Sequence, residues 1–183
     1  MAQKVKFGLT LSNRGVLLGL TKPSEILEMA ELAEASEAFE HVWVGDSIMA
    51  KPRMESITLM SAIAARTKRV KIDFAGVTAF AFKEPITLTN QWASMDLLSD
   101  GRMILGACMG GSISEQDHRA EYTNMGIKGF DRALRMEENI EILRKLWTED
   151  RVDYEGQYHT LKNAFIEPKP VQNPPPIWVI SNP

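Results

Sequence analysis

Short apolar runs alternate along this chain with stretches whose apolar residues recur every three or four positions. Val5-Lys-Phe-Gly-Leu-Thr-Leu11 reads as a first strand, and a Gly-containing loop leads from it to Lys22-Pro23-Ser24-Glu25. Proline followed by an acidic residue suits a helix start, where the absent N–H has no intrahelical role and a carboxylate meets the positive end of the dipole. The spacing predicts that this helix turns Ile26, Ala30 and Ala33 inward, with Leu27 and Leu32 beside them. His41-Val-Trp-Val-Gly-Asp46 is short, apolar and followed by a loop, as expected of a buried parallel strand. A helix over 54–67 carries Met60, Ile63 and Ala64 on one face. Val70 to Val77 predicts a third strand, and Glu84-Pro85 opens a helix with Ile86, Ala93 and Leu97 inward. Met103 to Cys108 predicts a fourth strand, set between the turn Ser99-Asp100-Gly101 and the pair Gly110-Gly111. Strand-helix-strand units of about 30 residues imply right-handed crossovers and a parallel sheet. Phe7, Leu9, Val42, Val44, Ile104 and Leu105 are expected on its inner face.

After the fourth strand the rhythm changes. Residues 110–129 read as a long polar loop, and 111–129 is a candidate lid. A helix follows with Ala133, Met136, Ile140, Leu143 and Trp147 on one side. Residues 150–176 read as an insertion made of a hairpin about Glu155-Gly156 and a Pro-rich run from Pro168 to Pro176. Ile177-Trp-Val-Ile180 is a fifth strand.

Composition narrows the function classes. At 183 residues the chain suits one domain. Its net charge of −3 gives no electrostatic reason to expect nucleic acid or an anionic membrane surface as partner. The single cysteine, Cys108, excludes an internal disulfide and is compatible with a reducing compartment. No apolar run approaches the ~18 residues of a membrane span, so a cytoplasmic protein is expected. Three scattered histidines do not form a metal site, and none is expected.

Glycines directly after a buried parallel strand let backbone approach a ligand, and that end of the strand is where α/β folds bind ligands. Four segments carry a resemblance: Val42-Trp43-Val44-Gly45-Asp46; Leu98-Ser99-Asp100-Gly101-Arg102 with its strand; Leu146-Trp147 with Tyr154-Glu155-Gly156-Gln157-Tyr158; and Pro168-Lys169-Pro170 with Pro175-Pro176-Ile177-Trp178-Val179. In these the chain resembles the bacterial luciferase-like family of flavin-dependent oxidoreductases. The resemblance implies a TIM-type (β/α)8 barrel, here truncated after the fifth strand, as a single domain over 1–183. It implies FMN, or in one branch a deazaflavin coenzyme, at the C-terminal ends of the strands. The leading expectation is a monooxygenase using reduced FMN and oxygen on a small organic substrate. A flavin reductase is then an expected partner, and a homo-oligomer is expected. A deazaflavin-dependent hydride transferase is the alternative, and an inactive half-barrel the second. The chain departs from luminescent members at Ser47, where they place a catalytic histidine, and at Met109, where they place a phosphate-binding arginine. It departs from sugar-phosphate-oxidising deazaflavin members at Gly111, where they place a glutamate.

The candidate cofactor-binding residues are Asp46, Gly76, Val77, Cys108, Met109, Gly110, Ser181 and Asn182. Asp46 either accepts from a ring or substrate, or caps the Ser47–Arg53 loop as an Asx turn. Gly76-Val77 matches a strand end at which the family carries a non-proline cis peptide, though an ordinary bulge also fits. Cys108 matches a cysteine near the flavin, or is a small buried hydrophobe. Asp46, Ser47 and His118 are the candidate catalytic residues, with a solvated surface role weighed for His118. Arg102 is read as structural, tying the helix-strand turn through Asp100 or neighbouring carbonyls. Trp43 and Trp178 are read as core.

Overall fold

The computed structural model describes residues 5–74, 80–112 and 114–180. In chain order the elements are β1 (Phe7–Leu11), α1 (Pro23–Ala35), β2 (Phe39–Val44), α2 (Ser56–Arg66), β3 (Lys71–Phe74), α3 (Pro85–Ser99) and β4 (Met103–Ala107). Then come α4 (Gln116–Asn124), α5 (Arg132–Thr148), β5 (Val152–Glu155), β6 (Thr160–Ala164) and β7 (Ile177–Val179). Strands β1-β2-β3-β4-β7 form one parallel sheet in that order, and β5-β6 is a separate antiparallel hairpin. The alternation predicts this parallel sheet, and its five strands correspond to the truncated (β/α)8 barrel that the resemblance implies.

The helix starts follow the local chemistry. Glu25 accepts from Lys22 N–H (2.8 Å) and the Thr21 hydroxyl (2.9 Å), fixing the first turn of α1. Glu84 accepts from the amides of Ile86 and Thr87 at the head of α3. That helix ends at Asp100 (φ 56°) and Gly101 (φ 74°), the left-handed pair the Ser-Asp-Gly turn requires. The Pro-rich run is drawn back to the sheet by Gln172. Its amide N–H and side chain both donate to the buried Asp96 of α3, and its side chain also reaches Met103 O.

The two faces of the sheet differ from the expectation. Val42, Val44, Ile72, Phe74, Met103, Leu105 and Ala107 pack in one cluster with Ile26, Met60, Ile63, Trp92 and Leu143 of the helices. Val42, Val44 and Leu105 therefore face the helices, not the barrel lumen, and Leu9 leans on the same cluster. Phe7 is 56% exposed. Of the residues assigned to the inner face, Ile104 alone shares register with the lumen side, opposite Asp73. Both faces of a parallel strand are apolar, so sequence alternation does not say which one meets the helices. Leu32 and Leu97 also differ, lying exposed on α1 and α3.

The lumen face carries Trp43, Asp73 and Ile104 in one register row, with Gly106 beside Trp178 in the next. His41, Trp43 and Trp178 pack ring to ring at 5.5–5.9 Å. Gly8 makes room for this cluster, because a Cβ there would lie 2.1 Å from Trp43 Nε1. Trp178, read as core, is 41% exposed on this open side.

Candidate active site

The C-terminal ends of β1, β2 and β4 converge on one rim. Asn13, just past β1, donates to Gly45 O (2.8 Å) and Met54 O (2.9 Å), locking the β1 and β2 ends together. Asp46 follows β2 and is buried. Its Oδ1 accepts from the Ser56 hydroxyl at 2.7 Å and lies 3.5 Å from Lys83 Nζ. Burial pushes its carboxyl above the usual range, and Lys83 and Ser56 pull it part of the way back. Asp46 thus takes its partners from α2 and from the segment before α3, not from the 47–53 loop as an Asx turn would.

Glu121 of α4 holds that loop. Its Oε1 accepts from the amides of Ile48 (2.7 Å) and Met49 (2.9 Å) and from the Ser47 hydroxyl (3.4 Å). Ser47 Oγ in turn accepts from Lys51 N–H. The segment expected to be loop throughout 110–129 contains α4, because Glu121, His118 and Tyr122 bury one side of an otherwise polar helix. His118 is 3% exposed rather than solvated. Its Nδ1 lies 3.8 Å from Glu121 and its Nε2 lies 3.6 Å from Glu115. It sits over Gly111, where a Cβ would lie 2.2 Å from Nε2.

The backbone after β4 is held from outside. Cys108 is buried and its sulfur accepts from Gly110 N–H. The Tyr122 hydroxyl reaches the carbonyls of Met109 (3.1 Å) and Gly111 (2.8 Å), and Arg132 donates to both the Tyr122 oxygen and Gly111 O. Gly110 takes φ +82°, open to glycine and costly for a branched residue. The Cys108-Met109-Gly110 backbone is thereby presented on the rim, with the carbonyls of Cys108, Met109 and Gly111 already bonded to Phe80, Tyr122 and Arg132.

Below the rim stands Asp73, fully buried between β3 and β4. Its Oδ1 accepts from Phe74 N–H (2.5 Å) and Gly106 N–H (2.8 Å), and its Oδ2 has no partner. Burial raises its carboxyl to about 7, with the two backbone donors opposing. A charged residue within the apolar run Val70–Phe74 was the signal that could have found it. Glu121, Tyr122 and Arg132 gave no such signal, since they lie in a polar stretch. Lys83 gave none either.

Arg102 stands at the other end of the sheet. Its guanidinium donates to the carbonyls of Ala64, Thr67, Val70 and Ser99 and to the Thr67 hydroxyl. The turn is tied through carbonyls, and Asp100 is not among the acceptors. Gly76, Val77, Ser181 and Asn182 lie outside the described residues. The site therefore joins Asp46, Ser47, His118, Cys108, Met109 and Gly110 of the expected set. A cleft of about 560 Å³ lined by Arg119, Tyr122, Thr123, Ile127, Lys128 and Phe130 opens on α4. Among the described residues no helix is long and apolar enough to cross a membrane, and no cluster of three metal-ligating side chains occurs.

A family model for luciferase-like monooxygenases matches residues 5–182. The chain belongs to this family. It is 32% identical over 169 residues to an F420-dependent glucose-6-phosphate dehydrogenase of Amycolatopsis mediterranei, covering 86% of this chain and 47% of that protein. A second such dehydrogenase, from Gordonia bronchialis, is 29% identical over 98% of this chain and 52% of its own length. The crystal structure of monooxygenase RslO1 from Streptomyces bottropensis superposes with a TM-score of 0.79 at 27% identity, covering 96% of this chain and 53% of that one. The chain spans about half the length of the curated relatives it matches.

Proposed function

We propose that this luciferase-like chain supplies the β1–β4 wall of an oxidoreductase site that works with a deazaflavin or flavin ring. The observation that carries the reading is that α4 ties two strand ends into one rim: Glu121 holds the loop that follows the buried Asp46, and Tyr122 holds the carbonyls of Met109 and Gly111 on either side of Gly110. The residues fit such a ring. A flat aromatic needs close backbone approach on one side, which Gly110 allows, and polar groups at its edge, which Asp46 and Lys83 offer. When bound, the ring supplies two-electron redox chemistry. Asp46 would hold or accept the proton that accompanies the electron transfer, with Ser56 and Lys83 fixing its orientation. Ser47 has its hydroxyl committed to Lys51 and Glu121, so it orients the loop rather than exchanging a proton.

The dehydrogenase relatives favour deazaflavin-dependent hydride transfer from a small hydroxylated substrate. Glucose 6-phosphate is not carried over, because Gly111 stands where the sugar-phosphate-oxidising deazaflavin members place a glutamate. The likeness to RslO1 favours the second reading, an FMN monooxygenase fed by a flavin reductase. Tyr122, Arg132 and α4 would shield the site from water in either case. Incubation with oxidised deazaflavin and a panel of small alcohols, without oxygen, tests the first reading through loss of the coenzyme's visible absorbance. Oxygen-dependent hydroxylation or cleavage of a substrate with reduced FMN, beyond the flavin's own autoxidation, and no bleaching of deazaflavin, would replace it with the second. Neither response would remove both.

A further inference from the structure

In a parallel ladder the amides of one strand donate to carbonyls of its neighbour. Between β3 and β4 this holds at Ile72, whose N–H donates to Arg102 O, and the register runs Ile72–Met103 and Asp73–Ile104. Among the described residues the register ends at that pair. Just past it, Asp73 Oδ1 accepts from Gly106 N–H of β4 as well as from the adjoining Phe74 N–H. The carboxylate thus stands between the two strands beyond their last main-chain pair. Gly106 is a condition for this, because a Cβ there would lie 2.9 Å from Asp73 Oδ1 and 3.2 Å from Phe74 O. Phe74 meanwhile keeps its register with Val44 of β2.

We propose that Asp73 is a positioning residue for the bound ring: its carboxylate parts the C-terminal ends of β3 and β4 and thereby sets the backbone of the pocket floor. This deepens the coenzyme reading above and rests on it. A wedge of this kind is stronger when ionised, since a carboxylate accepts two N–H bonds better than a neutral acid does. Protonation has one place to go, the unpartnered Oδ2. With the carboxyl held near 7, the wedge weakens as pH falls through neutrality. On the same face as Asp73 the titratable neighbours are His41 on β2, Lys71 on β3 and Cys108 just past β4, and the uncharged Trp178 of β7 and Ile180 after it complete that face.

The test uses the polypeptide carrying this sequence, with FMN and oxidised deazaflavin as probes and fluorescence titration from pH 5.5 to 8.5. For the wild type, affinity is expected to fall several-fold as pH drops below about 7. Asp73→Asn, with the same shape and one acceptor oxygen, should show the wild type's low-pH affinity at every pH. Asp73→Ala should bind at least tenfold more weakly with a flat profile while melting no lower than wild type at pH 8, an outcome that a purely structural role would not give. Wild-type affinity and slope in both variants would overturn the proposal and leave the coenzyme reading intact. Failure of the wild type to bind either probe at any pH would overturn both.

Discussion

Replacing Arg102 tests how the N-terminal end of the sheet is held. Arg102 is 8% exposed, and its guanidinium makes five hydrogen bonds of 2.6–3.0 Å to Ser99 O, Thr67 Oγ1, Val70 O, Ala64 O and Thr67 O. No carboxylate is among these acceptors, so the charge is stabilised by carbonyl dipoles at the ends of α2 and α3, where the helix dipole is negative. Arg102→Ala leaves four buried carbonyls without their donor. Bonds to a charged group contribute about 1.5–3 kcal/mol each, but water entering the cavity would recover part of the loss. We therefore expect about 3–5 kcal/mol of destabilisation, a large part of the ~5–15 kcal/mol that holds a domain together. Arg102→Lys restores the charge but not the planar fork, and should lose about 2–3 kcal/mol. Urea unfolding monitored by tryptophan fluorescence measures both variants, with the m-value checked for constancy. A loss below about 0.5 kcal/mol for Arg102→Ala would show that these bonds do not hold the sheet end.

Other consequences are equally direct. Glu121→Ala should speed hydrogen exchange at the amides of Ile48 and Met49 by at least tenfold, since both donate to that carboxylate; unchanged exchange would show the latch to be inert. Asp46→Asn should lower turnover by about a hundredfold with coenzyme affinity changed only a few-fold, and wild-type turnover should rise with pH as the raised carboxyl ionises; a fully active variant would remove Asp46 from the chemistry. Asp73 binds its proton more tightly folded (about 7) than unfolded (3.8), so its contribution is intact below pH ~4 and is lost as pH rises towards 7. The difference of about 3 units sets a ceiling of ~4 kcal/mol, and Asp73→Asn should gain stability over wild type by a few kcal/mol at pH 8 but not at pH 4. Finally, the 183-residue polypeptide by itself presents Phe7 on β1 and Val179 on β7 at the two ends of the sheet, 56% and 64% exposed, and should self-associate in light scattering. A well-behaved monomer with a cooperative melt would be the contrary finding.

The alternation of elements was readable because each strand and helix announces itself locally. Pro23 and Pro85 with their acidic neighbours mark helix starts, and Ser99-Asp100-Gly101 marks a stop that the left-handed angles realise. Arg102 was readable as structural from its place at the start of a strand. What could not be read were contacts across the chain. Glu121 reaches back 73 residues to Ile48, and no local pattern separates it from the solvated carboxylates of the same helix. The same is true of His118, buried by the tertiary placement of α4 over Gly111. Which strand face meets the helices was also hidden, since Val42, Val44 and Leu105 would suit either side. Asp73 was missed as well, although a carboxylate between Ile72 and Phe74, with its side chain on the lumen side of the strand, was a signal that could have marked it.

The rim at the ends of β2 and β4 is thus assigned to a redox ring. Backbone amide resonances followed during titration with deazaflavin, and separately with FMN, test it most directly. We predict saturable shifts at Val44–Ser47 and Gly106–Gly111, with the amides of β5 and β6 unmoved. Shifts confined to the cleft beside Arg119, Ile127 and Phe130, or no shifts with either ring, would contradict the account.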